Sequence, residues 1–190
     1  MKSIFISLMA GLLFFTACNS SKHVASSGTP QVNQVTTVTE PANKPVNFSD
    51  PQTWILGYFR VSKLYEQPWG QWFIKGFDDY VAVPDAVNKL KTLLKPGITV
   101  KIVMGTWCPD SRREVPRFMR VISDAGFDEG NIEFIGVDNS KVGPVKDYDK
   151  LEIARVPTFI IYKNNVEAGR IIENPVTSLE QDIVNILTKE

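Results

Sequence analysis

Residues 99–106 form a short apolar run carrying Val100, Ile102, Val103 and Met104, and the run stops at Trp107-Cys108-Pro109-Asp110. This junction limits the possible folds more than any other part of the chain. A run of that length suits a strand buried in a sheet. Immediately after it, Val115, Phe118, Met119 and Ile122 recur at i, i+3, i+4 and i+7, and Gly126 suits a helix C-terminal cap. A buried strand that feeds directly into an amphipathic helix belongs to a layered α/β architecture.

The flanking segments extend that pattern. A helix is predicted over 84–94, where Val87, Leu90, Leu93 and Leu94 share a stripe between Pro84 and the stop at Pro96-Gly97. A second strand is predicted over 132–137 and a short polar helix over 144–153. Strands over 158–162 and 167–172 read as a hairpin, followed by a closing helix over 178–187. Strands alternating with helices imply parallel pairing at the centre, and the terminal hairpin adds antiparallel pairing.

Composition removes several function classes. The 21 Lys and Arg residues are balanced by 21 Asp and Glu, so there is no electrostatic surplus for a phosphate backbone, and nucleic acid is excluded as a partner. One His and two widely separated Cys lack the ligand spacing of a zinc site, so no metal is expected. No glycine-rich phosphate loop occurs, and no cofactor is expected.

Four regions follow. Residues 1–17 read as a secretory signal: Lys2 precedes an apolar run over 4–15 broken only by Ser7 and Gly11. That run falls short of the ~20 apolar residues that span a bilayer. Phe15-Thr16-Ala17-Cys18 resembles a bacterial lipobox, which implies lipidation of Cys18 and an envelope protein tethered by its N-terminus, facing the periplasm. Ordinary cleavage after Ala25-Ser26-Ser27 is the rival. Residues 18–49 are the lipidated cysteine and a flexible tether rich in Ser, Thr, Asn and Pro, with Phe48 its sole aromatic and His23 solvated.

Residues 50–83 form an aromatic extension containing Trp54, Tyr58, Phe59, Tyr65, Trp69, Trp72, Phe73, Phe77 and Tyr80. One or two short helices packed over the sheet edge are expected there, bending at Gln67-Pro68-Trp69-Gly70. A groove lined by Trp69, Trp72 and Phe73 beside Cys108 is the alternative. Residues 84–190 are the α/β domain.

Cys108 lies in the first turn of a helix, where unpaired N–H groups and the helix dipole favour an anion and therefore a thiolate. Arg112 and Arg113 act in the same sense, while Asp110 and Glu114 oppose them. Asp110 and Ser111 are candidate caps for the helix start.

Trp107-Cys108, Pro116 eight residues beyond it, and Val156-Pro157-Thr158 together resemble the thioredoxin superfamily over residues 84–188. The resemblance implies a thioredoxin-like three-layer fold, a central mixed sheet flanked by helices. It also implies that Cys108 is the nucleophile and that Pro157 is cis and faces the sulfur. Trp107, Pro109, Val156 and Thr158 would then contact an extended peptide.

Two positions depart from the family pattern. Ser111 occupies the place of the resolving cysteine, and Ile102 stands where many thioredoxins carry a buried acid. A hydroxyl cannot close a disulfide, so dithiol reduction by the isolated domain is excluded. Single-cysteine thiol-disulfide exchange remains, with a protein thiol or disulfide as client and an external reductant. Cycling of the sulfur through sulfenic acid is a further possibility. The alternative class is a redox-inactive binding or assembly module.

Overall fold

The computed structural model describes residues 45–189, so the signal segment, Cys18 and the tether up to residue 44 lie outside the described residues. Five strands form one mixed sheet: β1 (Gly57–Phe59), β2 (Ile98–Met104), β3 (Ile132–Gly136), β4 (Thr158–Lys163) and β5 (Val166–Ile172), in the order β1-β3-β2-β4-β5. Only β2 and β3 run parallel, with Val100 opposite Ile132 and Met104 opposite Gly136. The other three pairings are antiparallel. The helices are α1 (Ser62–Tyr65), α2 (Gly70–Asp79), α3 (Pro84–Leu93), α4 (Pro109–Asp124) and α5 (Leu179–Thr188).

Where periodicity was strong, the elements fall close to their predicted bounds. Pro84 opens α3, and Ser178 caps α5 by accepting a bond from the Gln181 N–H. Gly126, at φ +70, lets the chain leave α4 in the left-handed region.

Alternation along β2 divides the interior in two. Ile98, Val100, Ile102 and Met104 point into a large core that also holds Leu64, Phe73, Leu90, Phe118 and Ile183, one from each helix. Phe118 and Phe159 stack at its centre, with ring centroids 4.4 Å apart. Val103 points the other way, into a smaller core with Cys108, Ile135, Val137 and Val156.

Two segments differ from expectation. The aromatic extension, expected to be helical only, also contains the edge strand β1, antiparallel to β3. Phe59 turns inward onto Phe134, 5.2 Å between centroids, while Tyr58 faces out. Three residues are too few to display a period-two pattern. The segment leading into β1 runs so close to β3 that a Cβ at Gly136 would sit 2.0 Å from the Ile55 carbonyl oxygen. Most of the extension's rings belong to the core: Trp69 and Phe73 are buried, and Phe59, Trp72, Phe77 and Tyr80 pack partly buried against it, while Tyr58 and Tyr65 are exposed.

The second difference concerns residues 144–153, where the expected α-helix is replaced by a single 3-10 turn, Tyr148–Leu151. Asp147 and Glu152 bracket that turn in the left-handed region, at φ 57 and 51, which no α-helix accommodates. Val145, Tyr148 and Leu151 recur every third residue, the 3-10 period, and all three pack onto the smaller core.

Candidate functional site

The turn between β2 and α4 is shaped by Gly105, because a Cβ there would lie 2.5 Å from the Trp107 ring. Cys108 N–H closes the turn onto the Gly105 carbonyl at 3.0 Å. Cys108 is itself the N-cap residue, extended at φ −78 and ψ 123, and Pro109 occupies the first helical position, where its missing N–H costs nothing.

The Cys108 thiol donates a hydrogen bond to the Val156 carbonyl at 3.3 Å, across 48 residues of sequence. The Val156–Pro157 bond is cis. Cys108, Val156 and Pro157 therefore meet, and the Pro157 carbonyl is held by the Glu173 N–H at 2.7 Å. Cys108 is only 6% exposed. The sulfur is consequently beside the proline loop and covered at the same time.

The remaining expected site residues take varied positions. Trp107 is partly buried, its Nε1 donating to the Val137 carbonyl at 3.0 Å and its ring tilted against Trp54 at 6.4 Å. Pro109 is exposed. Thr158 is buried and spends its hydroxyl on the Arg155 carbonyl at 2.7 Å, within its own loop.

Neither proposed cap acts as one, since the start of α4 carries no side-chain cap bond. The Ser111 hydroxyl is fully buried and points back to accept from the Gly105 N–H at 3.3 Å. Asp110 pairs instead with Arg113 at 2.7 Å. Both side chains find stronger partners behind or beside the turn than the orphan amides ahead of it.

Two contributors, Thr106 and Phe48, were given no part in the site from sequence, and a third, Arg112, was read there only as a charge favouring the thiolate. Arg112 binds the carbonyls of Thr106 and Trp107 at 3.0 and 2.8 Å, and its guanidinium lies 5.0 Å from the Phe48 ring centroid. Burial lowers the Arg112 pKa from its ordinary value, and the proximity of Cys108 opposes that shift. Thr106, fully buried, donates to the Thr53 carbonyl at 3.2 Å and accepts from the Ile55 N–H at 3.3 Å. Phe48, assigned to the tether, packs against the large core, and its carbonyl accepts from Trp54 Nε1 at 3.1 Å. Its standing as the sole aromatic of the tether was the available signal.

Among the described residues no group of three or more His, Cys, Asp or Glu side chains is placed to hold a metal ion, and no described helix is long and apolar enough to cross a membrane. Comparison with protein-family models, curated proteins and solved structures finds no match.

Proposed function

We propose that this chain is a thioredoxin-like, lipid-anchored envelope protein that engages protein thiols and disulfides through Cys108 alone. The observation that carries this reading is the Cys108 thiol at a helix N-terminus, 3.3 Å from the carbonyl that precedes a cis proline. A client disulfide approached by the Cys108 thiolate loses its S–S bond. One client sulfur bonds to Cys108, and the other leaves with the electron pair and takes up a proton. An external thiolate then attacks the mixed disulfide and restores Cys108. Ser111 cannot take that second role, and Ile102 offers no proton relay because its hydrocarbon side chain has no ionisable group. Cys18 supplies the membrane tether, and the folded part faces the periplasm.

Acid-quenched capture from cells tests the reading. Covalent partners are expected with the native protein and absent with Cys108→Ala; recovery of none from native cells refutes the exchange chemistry. Labelling with a fatty-acid probe that disappears in Cys18→Ala tests the anchor separately. The burial of Cys108 favours a second reading, a redox-inactive module that holds its partner without covalent chemistry. Partners retained equally by Cys108→Ala identify that case.

A further inference from the structure

β5 closes one edge of the sheet, and among the described residues β4 is the only strand bonded to it. The opposite edge, β1, is three residues long, whereas β5 runs for seven and contains neither Pro nor Lys, residues that commonly blunt an exposed edge. The Glu173 N–H bonds the Pro157 carbonyl, so the alternation of an antiparallel ladder turns the N–H and C=O of Arg170 away from β4. At the other end Asn164 and Asn165, at φ 52 and 64, make a two-residue turn closed by Lys163 and Val166, and Glu167 is the next residue to turn outward. Glu167 and Arg170 stand at an odd spacing because Ala168 is extra: Gly169 opposes Ile161, and Glu167 opposes Tyr162. The bulge also brings both charges onto one face, with Arg170 Nη2 2.6 Å from Glu167 Oε2. Val166 lies on the other, helix-bearing face, since it opposes Lys163, which opposes the buried Ile98; it is 70% exposed. On that face a groove of about 450 Å³ runs between β5 and α5, with Ile171, Val176 and Ile186 in its lining.

We propose that β5 is the surface through which two copies of this chain associate, strand against antiparallel strand, about a two-fold axis between Ala168 and Gly169. In that register Glu167 lies opposite the partner's Arg170, Val166 opposite the partner's Ile171, and Ala168 opposite the partner's Gly169, and symmetry makes each pair twice. The outward backbone groups of Glu167 and Arg170 then meet one another, and each charge faces the opposite sign. Val166 of each copy enters the groove beside the partner's Ile171. Other registers lose this match. An axis through Glu167 or Arg170 sets like charges opposite each other, and a slip of one residue opposes Glu167 to Ile171, whose side chain is on the other face. The strand is complementary to itself in one register, which favours a second copy over an unrelated strand as its occupant. The association does not depend on the chemistry of Cys108.

The test is velocity sedimentation of the full chain across a concentration series, in a detergent that keeps the apolar N-terminal run dispersed. The native chain should sediment as a dimer. Glu167→Arg and Arg170→Glu each set like charges opposite each other twice, and each should weaken association by about tenfold or more. Either change also breaks the Glu167–Arg170 pair within the chain, so two further samples separate association from folding. The double variant Glu167→Arg/Arg170→Glu restores opposite signs and should regain the native dimer. An equimolar mixture of the two single variants should form a mixed dimer, because one copy then carries Arg at both positions and the other carries Glu at both. A native chain that stays monomeric throughout, single variants that associate as tightly as native, a double variant that stays dissociated, or a mixture no more associated than its separate components overturns the proposal.

Discussion

Thr106→Val removes the one hydroxyl that joins the aromatic extension to the Cys108 turn, with little change in shape. Two bonds are lost, at 3.2 Å to the Thr53 carbonyl and at 3.3 Å from the Ile55 N–H. The two losses are unequal. The Thr53 carbonyl keeps its bond from Trp69 Nε1 at 2.8 Å, whereas the Ile55 N–H loses the acceptor it has in Thr106, in a fully buried setting. Leaving a buried donor unsatisfied costs about 1–3 kcal/mol, and the added buried methyl offsets about 0.8 kcal/mol of the total. The net destabilisation is about 0.2–2.2 kcal/mol, which lowers Tm by about 1–7 °C in a domain of this size. Calorimetry of the two proteins measures it. A Tm within 1 °C of native would show that the hydroxyl is not the joint described here.

Further outcomes follow from other parts of the fold. Gly76→Ala would place a Cβ 2.7 Å from the Pro116 ring, forcing α2 away from α4, with an expected loss of about 1–3 kcal/mol in chemical denaturation. Phe118→Ala opens a cavity in the centre of the large core and dissolves its stack with Phe159, with an expected cost of about 3–5 kcal/mol by the same measurement. Ser111→Cys places a second thiol three residues after Cys108 and should confer insulin reductase activity; a silent variant with both thiols reduced would show that the site is closed to large substrates. Burial, aided by Asp138, pushes the Tyr148 pKa from 10.0 to about 12. The folded state then keeps that proton after the unfolded chain has lost it. The associated stability is complete below pH 10 and is lost as pH rises from 10 through 12. The alkaline limb of a stability profile should therefore be shallower in Tyr148→Phe.

The sequence alone determined the elements whose apolar spacing repeats long enough to be read: α3, β2, α4, the β4–β5 hairpin and α5. It also placed the sulfur at a helix mouth and denied it a resolving partner, since both facts are local in the chain. That the Val156-Pro157 loop meets Cys108 was anticipated only through likeness to a family, and the bond from the thiol to the Val156 carbonyl not at all, because two residues 48 positions apart meet by sheet geometry and not by any local rule. The tertiary structure alone decided that Thr106 and Arg112 bind backbone carbonyls and that the serine and aspartate beside Cys108 abandon the helix cap. It likewise decided that Phe48 packs against the large core and that a 3-10 turn, not an α-helix, packs onto the smaller core that holds Cys108. Each of those outcomes is a competition among partners brought together by packing, and a hydrogen-bonding side chain takes the best partner within reach, which no linear reading of the chain can supply.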